Sequence, residues 1–323
     1  MVYNGMHTGQ TSHTAMASPL PAPATREQFT RLMVRHSAKN TTLLAHLYPT
    51  GTPSPDVNSN WVPFTQGCER RYDCYCHHVK GDMSKSVNPE GWRLCYPDNS
   101  GTLSECAEHR HRNCACLSGS RCLFSDMRPT KLLAAITAAR AAGVTRIIEE
   151  GRFGGLSALE YALHGFEVDS VEFLPLDGPS ASLRALAPQV RQIDGNGRTL
   201  LPELIGNLSQ GEARRTMVVF DGEKRFMAWK TFQRFKHRVA LAIFDDTNLW
   251  EEGRRFTSML DATGETWFDT ADKAYATFIS REERTLPEQL RPLRERTDMK
   301  WFGGINEVDK YHFSIVRGGG WAL

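Results

Sequence analysis

The chain has no long apolar run. Its longest, Val239–Phe244, falls far short of the roughly 20 residues that a membrane helix needs. Charge of one sign is also missing: 39 Lys+Arg face 37 Asp+Glu, a formal net charge of +2. Residues 1–127 carry 12 basic against 10 acidic side chains and residues 128–323 carry 27 against 27, so neither part is a polycation and no nucleic-acid partner is expected. The opening stretch Met1–Thr25 is rich in Ser, Thr, Pro and Ala and lacks the apolar core of a secretory signal. That predicts either a cytosolic protein or a precursor whose first residues precede this chain. No internal repeat is visible. Cysteine is absent after Cys122: all eight cysteines lie between Cys68 and Cys122, and eight of the eleven histidines precede residue 128.

Such confinement divides the chain. Its 323 residues suit two units of unequal size, and only the first needs covalent or metal staples. Residues 1–60 read as a disordered or partly helical N-terminal region, with a helix over Arg26–Tyr48 carried by Phe29, Leu32, Met33, Leu43, Leu44 and Leu47. Residues 61–127 read as a small cysteine-rich module, Cys68-x5-Cys74-x-Cys76, then Cys95 and Cys106, then Cys114-x-Cys116-x5-Cys122. Its intervening residues (Asp73, His77, His78, Lys80, Asp82, Arg110, Arg112) are too polar to build a core unaided. Four disulfides are the first reading, implying a lumenal, secretory or extracellular protein, which the sequons at Asn40 and Asn207 permit. Zn²⁺ is the competitor, because His77, His78, His109 and His111 stand among the cysteines; it would imply a cytoplasmic protein. The spacing is not the paired CxxC of common zinc sites.

From residue 128 onward the pattern alternates. Pro129 opens a helix whose face is Leu132, Leu133, Ile136 and Ala139, and Gly143 ends it. Short apolar runs at residues 144–149, 168–173, 189–193, 216–220 and 239–244 predict strands, each followed by a helical stretch. This βα alternation predicts an α/β fold with a doubly wound parallel sheet. Near the end, Tyr275–Ile279 and His312–Val316 are expected to pair as an antiparallel hairpin, with the charged Arg281–Lys300 inserted between them.

The first of these strands runs into Glu149-Glu150-Gly151-Arg152-Phe153-Gly154-Gly155-Leu156-Ser157. Glycines at a strand-to-helix turn let backbone approach a ligand, and the helix N-terminus offers unpaired N–H groups. The spacing is not the GxGxxG of dinucleotide sites. Taken alone, the turn reads equally well as a plain βα connection. The acidic residues add to it. Glu172, Asp194, Asp221 and the pair Asp245-Asp246 stand at the ends of the following four strands, so that, with the first, five strands each deliver a carboxylate to the edge where open α/β sheets bind ligands.

With those residues in view, the chain over about 130–250 resembles the class I S-adenosylmethionine-dependent methyltransferases, in the variant shared by metal-dependent catechol-type and sugar O-methyltransferases. Glu149-x-Gly151-x-x-x-Gly155-x-Ser157 resembles that family's first motif, and Glu172 stands where its ribose-binding acid does. Asp221-x-x-Lys224 resembles its metal ligand and catalytic lysine, and Asp245-Asp246 the pair that completes its metal site. The resemblance implies a Rossmann-like methyltransferase sheet with an antiparallel C-terminal hairpin. It implies cofactor contacts from Glu149, Gly151, Gly155, Ser157, Glu172 and Asp194, and a Mg²⁺ on Asp221, Asp245 and Asp246 that polarises an acceptor hydroxyl. Lys224, with its pKa lowered by the metal and by burial, would be the base, beside Asp221. The family's sugar-modifying members often carry Asp-Gly-Asp-His where this chain has Asp221-Gly222-Glu223-Lys224. The implied acceptor is a hydroxylated small molecule or a glycan.

Plainer roles stay open beside these. Lys224 could face solvent, Asp221 could cap the following helix, and Asp245-Asp246 could form a turn. A methyltransferase-like scaffold that has lost catalysis, with the cysteine module as its recognition surface, is the alternative to an enzyme. No base-holding motif of the Asn-Pro-Pro-Tyr kind follows the fourth strand, which disfavours a nucleic-acid methyltransferase.

Overall fold

The computed structural model describes residues 20–40, 61–62, 75–76, 93–94, 113–117, 122–125, 129–152, 154–175, 180–181, 183–184, 187–247, 250–285 and 312–321. A seven-stranded sheet organises most of them. Its strands are β6 (Arg146–Glu150), β7 (Glu167–Glu172), β8 (Arg191–Asp194), β9 (Thr216–Phe220), β10 (Leu241–Asp245), β11 (Trp267–Asp269) and β12 (Phe313–Arg317). Their order across the sheet is β11-β12-β10-β9-β6-β7-β8. Strands β6 to β10 are mutually parallel, and β12 runs antiparallel to both β10 and β11. This is a mostly parallel, Rossmann-like sheet. The earlier elements are short strands of the cysteine region: β1 (Trp61–Val62), β2 (Tyr75–Cys76), β3 (Arg93–Leu94), β4 (Asn113–Leu117) and β5 (Cys122–Ser125), all paired antiparallel. The register sets Cys116 opposite Cys122. The other cysteines apart from Cys76 and Cys114 lie outside the described residues.

Helices cover both faces of the large sheet. They are α1 (Arg26–Lys39), α2 (Pro129–Ala141), α3 (Leu156–Leu163), α4 (Gly197–Asn207), α5 (Gln210–Ala213), α6 (Arg225–Gln233), α7 (Trp250–Ala262) and α8 (Lys273–Thr285). Met217, Val219, Leu241 and Ile243 face one layer with α1, α2, α3 and α8; Val218, Phe220, Ala242 and Phe244 face the other with α4, α6 and α7. Burial on both faces is why these strands read as continuous apolar runs rather than alternating ones. Helix α2 ends as expected: Gly143 takes φ 67, and the Gly143 and Val144 N–H groups donate to the Arg140 and Ala139 carbonyls.

Two expectations are corrected. Tyr275–Ile279 is not a strand. It lies inside α8, with Tyr275, Phe278 and Ile279 buried at near-helical spacing, and the strand that pairs with β12 is Trp267–Asp269. The N-terminal helix, expected over Arg26–Tyr48, spans Arg26–Lys39, where Asn40 caps it; residues 41–60 lie outside the described residues. Far from standing apart, α1 is part of the core. Phe29 and Met33 are fully buried, Phe29 lying edge-on to Trp321. Arg26 binds Asp272 at 2.5 Å and lies 3.7 Å from the centre of the Trp267 ring. Thr25 and Gln28 form a reciprocal cap at its start. No described helix is long and apolar enough to cross a membrane.

Candidate functional site

The order in which the chain adds strands reverses between β6 and β9. Chain order runs outward from β6 through β7 to β8, then returns to β9 on the other side of β6. Ligand crevices form at such switch points, outside the carboxyl ends of the strands.

At that point Gly151 takes φ +99, and a Cβ placed on it would lie 2.2 Å from the Gly222 nitrogen and 2.7 Å from the Asp221 carbonyl carbon. Its lack of a side chain therefore serves the contact between the β6 and β9 ends, a second requirement beside the expected room for a cofactor. The Asp221 and Gly222 N–H groups both donate to the Glu150 carbonyl, at 2.8 and 2.9 Å. Gly155, with φ 76, is the N-cap of α3, and it supplies no side-chain cap to the first N–H groups of that helix. Ser157 is buried in its first turn.

Glu149 is fully buried beneath this turn. Its Oε2 accepts from the Ser170 hydroxyl at 3.0 Å, while Oε1 has no hydrogen-bond partner among the described residues, and neither does the buried Tyr161 hydroxyl. Burial, with Asp221 adding to it, pushes the Glu149 carboxyl up to about 8 against the pull of Ser157, Ser170 and Arg152. An orphaned buried oxygen under a glycine turn fits a polar ligand group. Its neighbour Glu150, on the opposite face, accepts from the Glu223 N–H at 2.7 Å and is pushed up to about 7 by burial and then by Asp221.

The acids of the next two strands stand side by side, Glu172 opposite Asp194 in the β7/β8 register. Glu172 Oε1 accepts from the Leu174 N–H at 3.0 Å. Asp194 has a partner that the sequence did not suggest. Arg152, buried, donates to Asp194 at 2.8 Å and to the Ser170 carbonyl at 2.9 Å.

The remaining candidates converge. Lys224 Nζ donates to Asp221 Oδ1 at 2.6 Å and lies 3.2 Å from Asp246 Oδ2 and 3.8 Å from Asp245 Oδ2. Asp221 is not a helix cap; the N-cap of α6 is Lys224 itself. Asp245, 1% exposed, is also bound by Lys131, 2% exposed, from α2. Arg225 (φ 52) and Asp246 (φ 56) are the described non-glycine residues with positive φ, one adjoining Lys224 and the other touching it. Strained backbone of this sort persists where surrounding structure holds a functional geometry.

Two expectations about this cluster meet a different arrangement. With no metal beside it Lys224 has no lowered pKa: burial lowers it, but Asp221, Asp246 and Asp245 together outweigh that and raise it well above the usual lysine value. The Mg²⁺ expected on Asp221, Asp245 and Asp246 finds no support in this arrangement. Mg²⁺ requires near-octahedral oxygen ligands at about 2.1 Å. Here those oxygens are turned onto two ammonium groups, and among the described residues no group of three or more His, Cys, Asp or Glu side chains could hold a metal ion. Sequence reasoning missed Lys131, Arg152 and Glu150. The available signal for Lys131 was a charge in the first turn directly before the apolar run Leu132–Ile136; Arg152 and Glu150 stood inside the glycine motif without a role.

No protein-family model matches this chain, and no curated protein does. Among solved structures, one described as a "putative caffeoyl-CoA O-methyltransferase" from Staphylococcus aureus is similar at 16% identity and a TM-score of 0.33, over 58% of this chain and 82% of that one.

Proposed function

We propose that α1 and residues 129–321 form an S-adenosylmethionine-dependent methyltransferase acting on a hydroxyl of a small molecule or a glycan. The observation that carries this is the contact between the glycine turn over the orphaned Glu149 oxygen and the strand end that holds Asp221 and Lys224. It joins the glycine turn to a charged strand edge. Glu149, Gly151, Gly155 and Ser157 would frame the cofactor, with Glu172 on its ribose and Asp194, steadied by Arg152, beyond it.

The cofactor supplies an electrophilic methyl group on a sulfonium. This chain's residues do the rest. Lys224, held as an ammonium, donates to the acceptor oxygen and stabilises the negative charge that develops there. Asp221, hydrogen-bonded to Lys224, would take the proton that the acceptor hydroxyl gives up on methylation. Lys224 has three N–H protons, and its hydrogen bond to Asp221 at 2.6 Å takes one of them.

Calorimetric titration of the whole chain with S-adenosylmethionine tests the reading. Binding by the wild type is expected, weakened in Glu172→Ala by on the order of 2 kcal/mol, as for hydrogen bonds to a charged group. No binding by the wild type sinks it. The second reading, a scaffold without catalysis, is favoured by the same ion cluster, since three carboxylates around Lys224 also make a self-satisfied structural network. Binding without methyl transfer to any hydroxylated acceptor would select it.

For the cysteines we propose four disulfides and hence a lumenal, secretory or extracellular setting. Eight alkylatable thiols with stoichiometric zinc would establish the cytoplasmic alternative.

A further inference from the structure

We propose that Lys131 and Lys224 occupy the charge position of a divalent cation, so that this acceptor edge works with an internal lysine pair and binds no Mg²⁺ or Mn²⁺. It builds on the reading of this edge as a methyl-transfer site, though the geometry stands apart from that reading. Three carboxylates brought to the ends of adjacent strands repel unless positive charge lies among them. Two ammonium groups supply the formal +2 that one divalent ion would.

Their placement is complementary. Lys131 enters from α2 and takes Asp245 Oδ1 where both side chains are shut off from water. Lys224 enters from the β9 end and faces the other Asp245 oxygen at 3.8 Å, Asp221 at 2.6 Å and Asp246 at 3.2 Å. Asp245 thus stands between two lysines with both its oxygens directed at cations. A metal ion would have to expel Lys224 from Asp221 and leave the buried Lys131 facing added positive charge. Removing a partner from a buried ion pair is costly, because the remaining charge is left without compensation. The lysines differ in exposure in a way that assigns their parts: Lys131 is sealed, and so positions Asp245, while the Lys224 side chain is 30% exposed and can reach an acceptor.

The experiment reads cation binding, apart from activity. Full-length protein, stripped with a chelator and exchanged into metal-free buffer, is melted and titrated calorimetrically with MgCl₂ and MnCl₂, as wild type and as Lys224→Met. The wild type is expected to show no rise in melting temperature and no binding heat. Lys224→Met is expected to gain a rise of several degrees with Mn²⁺, because Asp221 and Asp246 lose their ammonium and become ligands. A metal-dependent rise in the wild type overturns the proposal. So does a folded Lys224→Met that gains none. Should Lys224→Met not fold, Lys224→Gln replaces it under the same two criteria. Titration with S-adenosylmethionine in chelator separates the two readings: no cofactor binding with flat metal titrations sinks the methyltransferase reading and leaves the lysine pair standing, whereas metal binding sinks the lysine pair whatever the cofactor does.

Discussion

Lys131 on α2 and Asp245 at the end of β10 are 114 positions apart in the chain and form an ion pair with 2% and 1% of their side chains exposed. Burial raises the Asp245 carboxyl, and Lys131 is the largest influence opposing that rise. The pair therefore ties the first helix of the α/β unit to the candidate site. Lys131→Ala should cost on the order of 3–5 kcal/mol in denaturant unfolding, because it strands a buried carboxylate. Lys131→Met combined with Asp245→Leu should recover most of the loss. A single substitution costing under about 1 kcal/mol would mean that the pair is solvated.

Gly151→Ala should act on folding before it acts on any ligand. The added Cβ meets Gly222 backbone at 2.2 Å, and a φ of +99 strains any L-residue. Unfolding in urea is expected to show a loss of several kcal/mol, in the range typical of special backbone positions and overpacking. Full stability with weakened cofactor binding would restore the original reason for this glycine.

Stability should fall as pH rises through the range set by Glu149. An acid whose native pKa lies above its unfolded value holds a proton that the unfolded chain has already released, so its contribution declines between the two values. For Glu149 these are 4.5 and about 8. Melting temperatures across that window should decrease, and Glu149→Gln should flatten the slope and melt higher than wild type at the alkaline end. An identical slope in the variant would show that Glu149 finds a compensating partner.

Helix α1 should be inseparable from the sheet domain. Phe29 is fully buried beside Phe268 and Trp321, so Phe29→Ala should cost about 3–5 kcal/mol. Removing residues 1–40 should leave a chain that melts well below the intact protein. An unchanged melting temperature would show that α1 adds nothing to the stability of the sheet domain.

The two central strands β9 and β10 were legible because burial on both faces leaves a direct trace: TMVVF and VALAIF have no polar break to hide them. The glycine turn and the acidic strand ends were legible because backbone requirements and carboxylates recur at fixed places in each βα unit. Tyr275–Ile279 misled because its apolar residues occur in a short run, where helix and strand periods cannot be told apart. The fully buried face of α2, next to which Lys131 sits, hid the lysine among leucines and alanines.

Local pattern by itself determined the α/β class, the strand ends and the clustering of cysteine in one segment, since each depends on neighbours in the chain. Only tertiary structure decided what neutralises Asp245, why Gly151 has no side chain, where α1 belongs and which strand pairs with β12. Those outcomes depend on partners dozens to hundreds of residues away. The sign of the Lys224 shift is the clearest case: burial alone would lower it, and three carboxylates brought to one place by two different strand ends raise it.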